Sequence, residues 1–191
     1  MNDLENLQNL NLAHYILKAT ALIGVERKVG GNQFRHAFAT LGILLDYKFY
    51  DKSILLKASL LHDLFEDLPE PGTRENEING FEDVESHEVT KLVWEVTRQD
   101  NESKREYLQR VLDKGSKNAL LLKCADRISN LTDLHRDTHS VSKISKYLDQ
   151  TEEFVIPMAR KVNHEMEREL KDLVANRRSK IRGIDTNKIS L

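Results

Sequence analysis

Apolar residues recur at helical spacing, i, i+3, i+4 and i+7, along nearly the whole chain, and no stretch alternates with the period of two that a strand requires. The pattern predicts an all-α protein. Leu4, Leu7, Ile16, Leu17 and Ala21 mark the apolar face of a first helix or helix pair that runs through about Ile23 and stops near Gly24. Gly30-Gly31-Asn32 signals a turn, and FRHAFATLGILLDY at 34–47 a further helix with His36 on its first turn. Val89, Leu92, Val93 and Val96 form the stripe of a helix within 84–97, where Trp94 is expected to pack. Tyr107, Leu108, Val111 and Leu112 form that of a helix within 101–116, ended by Lys114-Gly115. ALLLKCADRISNLTDL at 119–134 is apolar enough to be core. One or two more helices over 140–174 are expected to break or bend near Pro157. The polar segment 70–80, with Pro71-Gly72, reads as an exposed loop beside the site.

Polar residues inside apolar segments carry the chemistry. At 57–68 the chain reads KASLLHDLFEDL. At about 100° per residue on a continuous helix, His62 and Glu66 stand i,i+4, as do Asp63 and Asp67, and the four share one arc opposite Leu61, Leu64, Phe65 and Leu68. The run before them, SILLKASLL, is too apolar for a helix with one side wholly in water, so the acidic arc is expected to face a cleft. Three adjacent carboxylates there need a cation, and a divalent metal is the simplest. Pro69 is expected to close this helix, because it cannot continue the hydrogen-bond ladder.

Asp126 interrupts the apolar 119–134 helix, with Asn130 four residues on along the same face and Lys123 and Asp133 flanking. A carboxylate in so apolar a helix is rarely unpaired. It is either in a salt bridge, for instance with Arg127 or Arg136, or a metal ligand. The lone His14 and the pair His135 and His139 in HRDTH read as packing or surface residues. Arg27 and Lys28, beside the glycine turn, are either ordinary surface charge or an anion-binding lip at a pocket entrance.

Composition narrows the setting. The 191 residues suit one domain, taken as 1–175, followed by a basic tail at 176–191 that reads as frayed, with Arg177, Arg178, Lys180 and Arg182. Charged residues make up 31% and the formal net charge is -2, so nothing pulls the whole chain toward nucleic acid or anionic membrane. The single cysteine, Cys124, excludes an internal disulfide framework and a thiolate zinc site. MNDLENLQNL lacks a signal-peptide profile, and no apolar run approaches the roughly 20 residues of a membrane span. A cytoplasmic protein is expected, with no nucleic-acid or membrane partner; oligomeric state is not encoded in these features.

Taken in order, His36, His62-Asp63 and Asp126 resemble the H…HD…D signature of HD-domain metal-dependent phosphohydrolases. HDLFED is similar to the HDxxED form, RKVGGNQFRH to the RKxGxPYxxH segment and LKCADRISNL to the VKLADRLxNL segment of the RelA/SpoT alarmone-hydrolase domain. EVTRQ resembles that family's GVTK element and SKYLDQTEEFVIPMA its helix ending in a PLA-like sequence, so the likeness spans about 20–160. It implies an all-α HD-domain helical bundle and a hydrolase-only member resembling the small stand-alone (p)ppGpp hydrolases. By position it implies His36, His62, Asp63 and Asp126 as ligands of one divalent ion, usually Mn²⁺, and Glu66 and Asp67 as catalytic carboxylates. Arg27 would stack on the purine with Lys28 beside it, and Asn130 would lie near the sugar. Arg98, Lys143 and Tyr147 would contact phosphate. Asn32-Gln33 stand where the family has Pro-Tyr, Val29 replaces a small polar residue, and Leu22 and Val25 replace a His and a Gln, all around the base pocket. The implied activity is release of pyrophosphate from the 3′ position of guanosine tetra- or pentaphosphate, a small-molecule nucleotide substrate. The alternatives are another nucleotide phosphohydrolase on the same site, which would release orthophosphate, or a nucleotide-sensing module. Retention of Glu66-Asp67 argues against the sensor, because binding alone needs no proton-transfer carboxylates.

Overall fold

The computed structural model describes residues 2–68 and 74–188. The chain folds as α1 (Asp3–Asn9), α2 (Ala13–Ala19), α3 (Gln33–Asp46), α4 (Ser53–Leu61), α5 (Leu64–Asp67), α6 (Arg74–Asn79), α7 (Ser86–Val96), α8 (Lys104–Lys114), α9 (Lys117–Asp133), α10 (Val141–Gln150), α11 (Ile156–Val162) and α12 (His164–Lys188). Among the described residues there is no strand, only an isolated bridge between Glu26 and Asn32. No helix among them is long and apolar enough to cross a membrane.

Helix α9 is the axis of the bundle. It packs against α3, α4, α7, α11 and α12, and twelve of its seventeen residues are buried. Surrounded on several sides, it cannot show the narrow apolar stripe of a surface helix, and its four buried polar residues, Lys123, Asp126, Arg127 and Ser129, must find partners inside. Helix α3 lies along α9 and α4. Its start is set by Asn32, whose side chain accepts from the Arg35 amide at 2.9 Å. The loop ahead of it turns on Gly30 and Gly31, at φ +84° and +74°, a left-handed region that costs glycine nothing.

The expected stripe of α7 is buried, as is that of α8 apart from the half-buried Leu112, and Trp94 packs on Phe65 with ring centroids 4.6 Å apart. Elsewhere the structure corrects the pattern. In α2 and the 3₁₀ turn Thr20–Gly24 the buried face is Tyr15, Ala19 and Leu22, whereas Leu17 is 71% exposed; both sides of this segment carry apolar residues, so periodicity alone could select the wrong one. His14 stacks on Phe81. Residues 74–79, expected in a loop, form α6, with Ile78 buried; Pro69 and Pro71-Gly72 lie outside the described residues. The irregularity expected near Pro157 is the π turn Thr151–Val155 just ahead of it, with Pro157 in the first turn of α11, and a second break follows at Asn163 (φ -161°). The basic segment expected to fray is helical through Lys188: Arg177 donates to the carbonyls of Leu131 and Thr132, and Arg178 pairs with Asp149 and Glu152.

Candidate metal centre and substrate cleft

The largest local correction lies at the centre of the 57–68 segment. The helix does not run through. α4 ends at Leu61, Asp63 takes φ -96° and ψ -1°, and α5 restarts at Leu64. On a continuous helix neighbours diverge by about 100°, so His62 and Asp63 could not face one point closely. The break brings them together, with His62 Nε2 3.3 Å from Asp63 Oδ2. Glu66 and Asp67 stay one turn away, on amides that bond back to the Asp63 carbonyl.

Three elements meet at this break. From the first turn of α3, His36 Nε2 lies 3.3 Å from His62 Nε2, 3.1 Å from Asp126 Oδ1 on α9 and 3.6 Å from Asp63 Oδ2. His36, His62 and Asp126 each present a donor atom within 4.8 Å of the others, and all three are buried. The outer ring nitrogens are also engaged: His62 Nδ1 donates to the Ser59 carbonyl at 2.7 Å, and His36 Nδ1 is 2.9 Å from Ser129 Oγ. The Ser59 bond keeps a proton on Nδ1 and turns Nε2 toward the cage, as metal-binding histidines are generally held.

The charges fit a cation. Burial works against charge on His62, but the carboxylates of Asp63 and Asp126 outweigh it and hold the imidazole up, to about 9. Burial pushes Asp63 and Asp126 the other way, yet the neighbouring imidazoles, and for Asp126 first of all Lys123, hold both below the usual carboxylate range. The two carboxylates thus demand positive charge at the imidazole Nε2 atoms. A proton on His62 can supply it; a divalent ion on the same nitrogen and oxygen donors supplies more.

Asp126 is in a salt bridge, and its other oxygen faces the histidines. Oδ1 faces the histidines, while Oδ2 accepts from Lys123 Nζ at 2.6 Å. The salt-bridge partner is therefore neither Arg127 nor Arg136. Arg136 pairs with Asp133. Arg127, fully buried, stacks on the Tyr147 ring at 3.9 Å and donates to the Tyr147 carbonyl and Thr151 Oγ1 where the chain widens into a π turn, Thr151–Val155. Asn130 donates to Asp126 Oδ1 and accepts from Arg27 Nη2 at 2.7 Å, so the glycine turn is tied to the cage through two side chains. Arg27 also faces Asp133 at 3.5 Å.

A cleft of about 590 Å³ opens beside the cage, lined by Asn130, Val29, Lys104, Lys143 and Tyr147 among others. Of the residues expected to contact substrate, Asn130, Lys143 and Tyr147 meet there. Arg27 instead lines a smaller hollow of about 260 Å³ behind His36. Lys28 is exposed, and Arg98 is exposed with its backbone amide donating to Glu66 Oε1 at 2.8 Å. His139 bonds Asp137 at the rim of the cleft, and His135 is exposed.

No protein-family model matches the chain, and no characterised protein matches it by sequence. Among solved structures it superposes with a TM-score of 0.74 on a metazoan ortholog of SpoT that hydrolyses ppGpp and plays a role in starvation responses. The identity is 23%, over 87% of this chain and 94% of that one. The fold is that of the HD domain. Within it, three residues beside the cage lay beyond sequence reasoning as functional parts. Lys123 read only as a flanking charge. Gln33, on the first turn of α3, donates to Asp67 Oδ2 at 2.7 Å. Lys104, at the start of α8, is held down to about 8 by burial and by the charges of Lys123 and Arg127. Asp67 is pushed up to about 6 by burial and by the Asp63 charge, against the pull of Gln33. A carboxyl poised there can both accept and return a proton near neutral pH.

Proposed function

We propose that this chain is a divalent-metal-dependent phosphohydrolase whose substrate is guanosine 3′,5′-bis(diphosphate), ppGpp, or its pentaphosphate, from which it releases pyrophosphate at the 3′ position. The observation that carries this reading is the convergence of His36, His62, Asp63 and Asp126 on one buried point, one turn from Glu66 and Asp67, in a fold shared with a ppGpp-hydrolysing protein. The four converging residues would hold the ion, and their mixed nitrogen and oxygen donors suit Mn²⁺. When bound, the ion supplies charge stabilisation at a phosphoryl oxygen and a more acidic water.

The protein side chains do the rest. Glu66, anchored on the Arg98 amide, and Asp67 orient the attacking water and take its proton, which returns to the departing 3′ oxygen. Asn130 reaches the sugar and Lys28 the base, which Arg27 would meet after leaving the contacts to Asn130 and Asp133 that hold it out of the cleft. Arg98, Lys143 and Tyr147 meet the phosphates, with the aromatic wall of Tyr147 backed by buried Arg127. Burial of the two histidines and Asp126 excludes bulk water from the ligand side of the reacting group.

Incubation with ppGpp and Mn²⁺ tests the reading directly. The expected products are pyrophosphate and GDP. Release of orthophosphate from any of several 2′- or 3′-phosphorylated nucleotides, with ppGpp untouched, would assign another phosphohydrolase reaction to the site; binding without turnover would make it a sensor.

A further inference from the structure

Gln33 stands at an unusual junction. Asn32 caps α3 through its side chain, which leaves the next residue, Gln33, at the helix start with its amide reaching across to α5. There Nε2 donates to Asp67 Oδ2 at 2.7 Å, over 34 positions of sequence. The other end of the amide, Oε1, is buried and has no partner among the described residues. The only hydrogen bond that fixes this amide among them is therefore the one to Asp67, although an unmet buried acceptor carries a cost of about 1–3 kcal/mol.

The carboxylate it holds is half-buried, which works against its ionised form, and the charges of Asp63 and Glu66 repel it further. Left alone, such a side chain swings toward water and away from the other carboxylates. A donor on one oxygen prevents this. It leaves Oδ1, which has no hydrogen bond among the described residues, available to a reacting water.

We infer that Gln33 is the positioning residue of Asp67, acting on catalysis only through that carboxylate. This rests on the proposed hydrolase reading, in which Asp67 handles the attacking water. The same turn of α3 carries His36, so one capped helix start sets both a cage ligand and the aim of a catalytic carboxylate.

Gln33→Met keeps the length of the side chain and removes its donor. The expected result is a kcat about tenfold lower, with KM and bound metal within twofold of the unmodified protein. In an Asp67→Asn background, the same change should cost nothing further, because contacting residues that act through one another are non-additive. Equal loss in both backgrounds, or a loss confined to KM, overturns the inference. If the unmodified chain fails to cleave ppGpp, the hydrolase reading fails, and positioning is then read from the crystal structure of Gln33→Met: the Asp67 side chain is expected to leave its place beside residue 33, and a carboxylate that stays put overturns the inference.

Discussion

Replacement of Lys123 by Met probes whether the cage is electrostatically unfinished without its cation. Lys123 and Asp126 are both buried, and their contact is 2.6 Å. At an effective dielectric of about 20, unit charges at that separation attract by about 6 kcal/mol. Desolvation of both ions offsets part of this, and removing one partner of a buried pair typically costs about 3–5 kcal/mol. Burial pushes Lys123 toward the neutral form, yet Asp126 reverses the effect and holds it charged, well above its ordinary range. Lys123→Met keeps most of the apolar stem but loses the ammonium, which also lies over the Tyr107 ring. What it removes is the charge, leaving Asp126 and Asp63 with only the imidazoles to balance them. For a chain of this size 1 kcal/mol shifts the midpoint by about 2–4 °C, so the metal-free variant should melt roughly 6–20 °C below the unmodified protein. Saturating Mn²⁺ should recover more of that loss in the variant than it adds to the unmodified protein, because the ion supplies the missing positive charge and binds only the folded state. Thermal unfolding followed by circular dichroism, with and without metal, measures both. A loss below about 1 kcal/mol, identical with and without Mn²⁺, refutes the argument that Lys123 and the ion compensate the same carboxylates.

Three further outcomes follow from the same geometry. His62→Ala and Asp63→Ala should each lose bound metal together with hydrolysis; metal content near that of the unmodified protein in both would remove them from the ligand set. Glu66→Gln should retain metal while turnover falls about 10²–10⁴-fold, since the amide can still accept from the Arg98 backbone but takes no proton; loss of metal instead would make Glu66 a ligand. Asp67, whose midpoint in the fold is raised to about 6, binds its proton more tightly folded than unfolded, so its contribution to stability is present at acid pH and is lost as pH rises through that value. Asp67→Asn should accordingly raise the melting temperature of the metal-free protein at pH 7–8 and leave it nearly unchanged at pH 4; a gain of equal size at both values contradicts the assigned burial and charge effects.

His62, Asp63 and Asp126 were legible as out of place because each breaks a local rule, whereas His36 stood out only through the family resemblance. His62 and Asp63 end an apolar run, and Asp126 sits inside another; a polar group in such a place must be paired, so its residue type and helical phase announce a site before any tertiary information. Element types were legible for the same reason, since period 3.6 is a property of short windows. The exact point at which a helix breaks was not. His62 and Asp63 lie in a window of helical periodicity, and the bend between α4 and α5 goes with the convergence on His36 and Asp126, residues 26 and 64 positions away from His62.

Partner choice belongs to the tertiary structure as well. Asp126 had several cations within reach along its own helix, and the sequence offers no reason to prefer Lys123; the rotation of α9 in the bundle decides it, turning Arg127 instead toward Tyr147 and Thr151. Gln33 drew no attention as a partner of Asp67, and the two meet because α3 packs on α4, which α5 follows. Local periodicity depends on neighbours within about two turns, so this chain determined by sequence alone that it is helical and which residues are out of place in its apolar faces. Which of those residues meet, and which cation each carboxylate receives, depends on helix crossing angles and rotations fixed by the whole core, and only the folded bundle decides them.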